Sequence, residues 1–183
     1  NKLLSITNPA RYIGGEFTYG KKQTCDDSSF TVGLCFPDLY EIGMSNNSMR
    51  ILYDLILESP DEMVCDRVFS VAPDFEELLK KSNIPLYTLE HGIALHDLDV
   101  IGFSIGYELA ATNILQVLEL GKIALHNEDR SEDAPILLAG GPAITNPLPF
   151  SRFIDFVYIG EAENGLVEIL SQIKKMKSEN KSR

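Results

Sequence analysis

TVGLCFPDLYEIGMSNNSMRILYDLILES, residues 31–59, reads as a strand, a polar loop and a helix. TVGLCF (31–36) is a nearly unbroken apolar run that stops at Pro37, the pattern of a strand buried on both faces. PDLYEIGMSNN (37–47) is polar and contains Gly43, and it reads as a loop. In SMRILYDLILES (48–59), Ile51, Leu52, Leu55 and Ile56 recur at helical spacing, and Pro60 closes the segment.

The same alternation repeats along the chain. MVCDRVFSV (63–71), DVIGFSI (99–105), PILLAGG (135–141) and DFVYIG (155–160) read as further strands. A helix opens at Pro73-Asp74 and runs to about Lys81, with Asp74 as its cap and Glu77 at capping-box spacing. YELAATNILQVLELG (107–121) is a helix stopped by Gly121. EAENGLVEILSQIKKM (161–176) is a closing helix whose apolar stripe is Leu166, Ile169, Leu170 and Ile173. IPLYTL (84–89) reads as a short extra strand. Buried strands alternating with helices predict βαβ units with right-handed crossovers and a parallel sheet. Five such strands predict an α/β, flavodoxin-like, doubly wound sheet of order 2-1-3-4-5 across residues 31–173. Residues 1–30 are expected to form an N-terminal arm, with a hairpin near 16–25, and residues 174–183 a basic tail or linker.

Composition narrows the function. The 183 residues contain 16 Lys and Arg against 27 Asp and Glu, a net charge of −11. Five of those basic residues fall in 174–183, so residues 1–173 alone carry −15. Phosphate backbones are bound by clustered Lys and Arg, so no nucleic-acid partner is expected. No apolar run approaches the roughly 18–20 residues of a membrane span, and nothing at the start reads as a signal peptide. Cys25, Cys35 and Cys65 are odd in number and form no CxxC pair, which suits a reducing cytoplasm better than a disulfide scaffold.

In a doubly wound sheet ligands sit beyond the carboxyl ends of the strands, at the switch between strands 1 and 3. The residues placed there are Pro37, Asp38, Tyr40, Glu41, Gly43 and Ser45 after strand 1, and Ser104, Gly106, Tyr107 and Glu108 after strand 3. Gly140, Gly141 and Pro142 follow strand 4, and Gly160, Glu161 and Glu163 follow strand 5. Glycines at these ends permit close backbone approach to a flat or phosphorylated ligand. Neither a Rossmann G-x-G-x-x-G nor a P-loop is present, and Asp38, Tyr40 and Glu41 make a poor phosphate cradle. His91 and His96 have weak metal spacing, and with His126 they read as ordinary surface histidines. Glu161 and Glu163 read as residues of the last helix's first turn, where carboxylates suit the helix dipole.

Three of these strand ends, in order, carry a resemblance: Asp99–Ser104 (D-x-x-G-x-S), Gly140–Pro142 (GGP) and Asp155–Glu163 (D-x-V-x-x-G-E-x-E). The chain resembles, over about residues 9–173, the cobalamin-binding-like domain that precedes the catalytic barrel of B12-binding-type radical S-adenosylmethionine (SAM) proteins. PARYIGGE (9–16) and FPDLYEIGMSN (36–46) are similar to one branch of that group, iron–sulfur oxidoreductase-like proteins.

The resemblance implies a domain that either holds cobalamin or scaffolds its neighbour. Cobalamin would lie over the carboxyl edge of the sheet with its nucleotide tail in a crevice. The residues implicated are Asp38, Tyr40, Gly43, Ser45, Ser104, Gly106, Gly140, Gly141, Pro142, Gly160 and Glu161. Better-known cobalamin domains carry D-x-H-x-x-G after strand 1, whose His ligates cobalt; here the element is D-x-Y-x-x-G, with Tyr40 in the His position. Neutral imidazole binds transition metals well, whereas a phenol of pKa near about 10 stays protonated. A bound cobalamin is therefore expected base-off without a protein histidine. The family's C-x-x-x-C-x-x-C loop, which holds a [4Fe–4S] cluster, has no counterpart here, so the cluster and SAM are expected in a C-terminal radical SAM domain beyond Arg183, and this chain alone is not expected to catalyse. The competing reading is an acidic interaction module without a cofactor.

Overall fold

A computed structural model describes residues 2–17 and 23–179. Five parallel strands form one sheet in the order β2-β1-β3-β4-β5. They are β1 (Thr31–Phe36), β2 (Val64–Phe69), β3 (Val100–Ser104), β4 (Ile136–Gly140) and β5 (Phe156–Val157). The predicted order and parallel sense are those observed, as in a flavodoxin-like fold. Every residue of β1 is buried, as expected of a central strand covered on both faces. β5 is shorter than its motif because the pairing ends once Tyr158 N–H reaches the Ala139 carbonyl, after which Gly160 turns the chain at φ 139°.

Strand alternation sorts the core into two layers. Cys35, Val68, Ile101, Phe103, Leu137 and Ala139 face helices α3 (Pro73–Ser82) and α4 (Ala111–Leu120). Val32, Leu34, Val100 and Leu138 face helices α2 (Asn47–Leu57) and α5 (Leu166–Ser178). Among the described residues no helix is long and apolar enough to cross a membrane.

Several local expectations change. The segment 37–47 contains a short helix α1 (Tyr40–Ser45), started by the Leu39 carbonyl accepting from Ile42 and Gly43 N–H. Gly43 is required there, since a Cβ would lie 2.2 Å from the Phe69 ring. Asn46 then caps α2 by accepting from Ser48 and Met49 N–H. The capping box predicted for α3 does not form. Pro73 occupies the first helical position, Ala72 is the cap, and Asp74 accepts instead from Phe75 and Thr7 N–H. Residues 84–89 are not a strand. Leu86 N–H goes to Leu120, Leu89 N–H goes to Arg67, and only one antiparallel bridge, Tyr87 with Ala94, is made.

α4 follows a 3-10 turn, Glu108–Ala110, and ends at Gly121; the left-handed residue that redirects the chain is Lys122. The closing helix starts at Leu166 rather than at 161, so Glu161 and Glu163 precede it, around a 3-10 turn Ala162–Asn164. It runs on to Ser178, so the first residues of the presumed tail are helical. Lys177 Nζ reaches Asp99 Oδ1 at 2.7 Å, and Lys174 Nζ donates to the Asp61 carbonyl.

The described arm packs on the α3 side. Tyr12 is buried, stacks on Phe75 at 3.8 Å between ring centroids, and accepts Ala72 N–H at its hydroxyl. The centre of the hairpin expected near 16–25, residues 18–22, lies outside the described residues. Past it, the Gln23 side chain donates to the Met63 carbonyl and accepts Cys65 N–H, covering the outer edge of β2 as a strand would.

Candidate functional site

A groove of about 540 Å³ opens over the carboxyl half of the sheet, between α2 and the N-terminal end of α5. Its floor is Leu34 of β1, Gly102 of β3, and Leu138 and Gly140 of β4. Its walls are Ser48, Ile51 and Leu52 on one side and Tyr158, Ile159, Ala162 and Leu166 on the other, with Gly141, Pro142 and Thr145 at the end of β4. The floor is open because two adjacent strands present glycine at this layer. A Cβ on Gly102 would meet only Leu34 Cδ1, at 3.9 Å, and one on Gly140 only the Tyr158 carbonyl oxygen, at 3.6 Å. Side chains there would fill the hollow rather than clash with its walls.

Seven of the strand-end residues singled out from the sequence line this groove: Ser104, Gly140, Gly141, Pro142, Gly160, Glu161 and Glu163. Gly141, at φ 106°, also sets the turn out of β4, where a Cβ would lie 2.6 Å from the Ile105 carbonyl oxygen. The loop is braced by Tyr158, whose hydroxyl donates to the Glu161 carbonyl at 3.0 Å.

The residues after β1 point elsewhere. Asp38 accepts from the Tyr107 hydroxyl at 2.6 Å, joining the loop after β1 to the loop after β3. Tyr40 packs edge-on against Phe69 and donates its hydroxyl to Glu16 Oε1 at 2.6 Å. Burial, with the Glu16 carboxylate beside it, pushes the phenol up to about 12. Ser45 is exposed and donates to the Ile42 carbonyl, and Gly106 faces open space. The crevice between strands 1 and 3 is therefore bridged, and the hollow lies beside it on the α2/α5 face.

His91 is at the surface, as expected, but it is anchored to a buried carboxylate. Its Nδ1 lies 2.7 Å from Asp66 Oδ1, and Asp66 is fully buried on β2. Asp66 also accepts from the Thr88 hydroxyl at 2.5 Å and from His91 N–H at 3.0 Å. Burial alone would lower the His91 pKa, but the Asp66 carboxylate outweighs it and the net shift is upward. Next to this cluster Arg67 Nε donates to Glu90 Oε1 at 2.6 Å, and burial raises Glu90 even with that guanidinium at hand. No periodicity in the sequence marks these partners, because they are brought together across the edge of β2 by a loop.

Two other hollows differ in character. One of about 660 Å³ lies at the amino ends of β3 and β4, and its wall is highly charged and includes the ion pair Lys177–Asp99. One of about 150 Å³ is lined by Phe17, Met44, Met49, Arg50, Tyr53, Asp54 and Arg67. Of the hollows described, formed by the described residues, the 540 Å³ groove combines a carboxyl-end position with an open apolar floor, the combination that marks ligand sites in such sheets.

The sheet order, the helices on both faces and the groove at the strand ends define a flavodoxin-like α/β domain. The family described as radical SAM proteins, N-terminal, matches residues 48–183, and the chain belongs to it. The match takes in most of the groove and leaves β1 and the Asp38–Tyr40 loop outside. No curated protein matches the chain.

Proposed function

We propose that this N-terminal domain of a radical SAM protein holds the nucleotide tail of a corrinoid in the α2/α5 groove and offers cobalt no histidine. The carrying observation is the glycine floor. Gly102 and Gly140, with Leu34 and Leu138 beside them in the floor, leave an apolar slot near Ser104 walled by Leu52 and Leu166, which suits the face of a heteroaromatic base. The leucines exclude water, and the Ser104 hydroxyl supplies a polar contact at the strand end. Nothing comparable favours a protein ligand to the metal. Tyr40 has its hydroxyl committed to Glu16, and His91 is committed to Asp66. When bound, cobalamin supplies a cobalt centre for alkyl transfer or radical chemistry.

The thiols do not fit a [4Fe–4S] cluster. Cys35 and Cys65 are buried in separate core layers, while Cys25 is exposed. In this reading the cluster and SAM belong to a C-terminal radical SAM domain of the same protein, the partner of this one. Three free thiols are in keeping with a cytoplasmic setting.

The test is a titration with hydroxocobalamin followed by desalting and visible absorbance. Retained colour with a base-off spectrum is expected, and Gly102→Val or Gly140→Val abolishes it while circular dichroism stays unchanged. No retention by the wild-type chain overturns the reading. Nitrogen superhyperfine splitting in the Co(II) EPR spectrum overturns the absence of a histidine ligand. A second reading, a cofactor-free scaffold for the catalytic domain, draws on Leu109, Leu148 and Ile159, which are 82%, 78% and 64% exposed. It predicts no retention and indifference to both glycine substitutions.

A further inference from the structure

The groove is mostly apolar, but its charge is one-sided. Among the described residues that line it the charged ones are Glu161 and Glu163, and none is Lys, Arg or His. Both carboxylates are exposed, on the segment between β5 and α5. We infer that the groove sorts ligands by charge: it admits a neutral or cationic heteroaromatic group and disfavours one whose phosphate comes close to Glu161 and Glu163. The inference rests on the proposed reading of the groove as a ligand site.

A helix amino terminus ordinarily attracts phosphate, because its first N–H groups are unpaired and its dipole is positive there. One helix start at this groove is capped by a side chain, and the other, capped by Gly165 with no side-chain hydrogen bond, stands among carboxylates whose charge opposes its dipole. At α2 the Asn46 side chain accepts Ser48 and Met49 N–H. At α5 the carboxylates Glu161, Glu163 and Glu168 stand in the turn before the helix and in its first turn. The potential that a phosphate would meet is therefore set by these carboxylates. The 540 Å³ of space is of the size of a base with its ribose, and a phosphate would meet the least repulsion where it keeps its distance from Glu161 and Glu163. The protein's overall charge of −11 acts in the same direction.

The test uses the 183-residue chain and two probes that differ by one group, α-ribazole and α-ribazole 3′-phosphate, with affinities read from NMR shifts of groove residues. The nucleoside is expected to bind about tenfold more tightly at low ionic strength, the size expected of two exposed carboxylates acting over several ångströms of water. The gap should shrink towards unity in Glu161→Gln/Glu163→Gln and in about 0.5 M salt, where charges are screened within a few ångströms. Equal affinities, or a gap that the double variant leaves unchanged, overturn charge sorting and leave the groove reading standing. Failure of both probes to shift groove residues overturns the groove reading itself, and the inference with it.

Discussion

Tyr107 donates its hydroxyl to Asp38 Oδ2 at 2.6 Å, so one hydrogen bond spans the loops that leave β1 and β3. These loops flank the crevice where ligands of doubly wound sheets commonly enter. The bond is reinforced from below, where Asn113 donates to the Pro37 carbonyl and Ser70 N–H to the Asp38 carbonyl. The bridge closes this crevice, while the glycine floor of β3 and β4 opens the hollow on the α2/α5 face.

Tyr107 is 41% exposed, so the bridge holds geometry more than stability. Tyr107→Phe is expected to cost less than about 1 kcal/mol in urea unfolding. Hydrogen exchange should rise in the loops after β1 and β3. Unchanged exchange there would show that the loops hold their places without it.

The Asp66–His91 pair predicts a pH signature. The folded His91 pKa is raised, so its contribution is complete below the unfolded value of about 6.5 and is lost as pH rises through the folded value. Urea unfolding of the native chain and of His91→Gln should therefore differ most below about pH 6.5, with the gap narrowing as pH increases. A gap that widens with pH would contradict the assignment of Asp66 as the dominant influence.

Arg67 and Glu90 form a pair whose side chains are only 10% and 13% exposed; among the described residues Arg67 Nη2 is buried without a hydrogen-bond partner, while the guanidinium lies over the Tyr53 ring at 4.6 Å. Breaking such a pair from one side strands the other charge. Glu90→Ala is expected to destabilise by about 3–5 kcal/mol. The double variant Arg67→Met/Glu90→Leu should cost less than Glu90→Ala alone, because apolar groups need no counter-charge. A double variant worse than the single would mean that the pair contributes net stability.

Gly141 and Gly106 follow the ends of the paired strands β4 and β3, yet they should respond differently to alanine. Gly141 sits at φ 106° against the Ile105 backbone, so Gly141→Ala is expected to cost at least about 1–3 kcal/mol. Gly106 faces open space, and its alanine variant should change stability by less than about 1 kcal/mol. Thermal unfolding of the two variants, compared at equal pH, checks the contrast.

The order of the five strands was legible because the information is local. An unbroken apolar run ending in Pro or Gly, followed by a helical stripe, can be read without knowing what it packs against, as TVGLCF and ILYDLIL show. The same holds for residues at strand ends, which the topology carries to one edge, and seven of those singled out do line the groove. Local capping was harder. Asp74 has a cap residue's chemistry, but Pro73 needs no hydrogen-bond partner at the helix start and displaces it.

What only the tertiary structure decided are relationships between segments far apart in the chain. Tyr40 turns from the strand edge towards Glu16 because Gly43 lets α1 lie against Phe69. His91 meets Asp66 because a loop folds over the open edge of β2. The floor of the groove exists because the register Gly102↔Leu138 and Ser104↔Gly140 places two glycines of adjacent strands on the same face of the sheet. By itself the sequence determined where the five strands and the main helices between them lie, since burial periodicity is a property of consecutive positions. Pairing register, side-chain direction and the partners of buried charges depend on contacts that no consecutive stretch contains, and those contacts decided where this protein has room for a ligand.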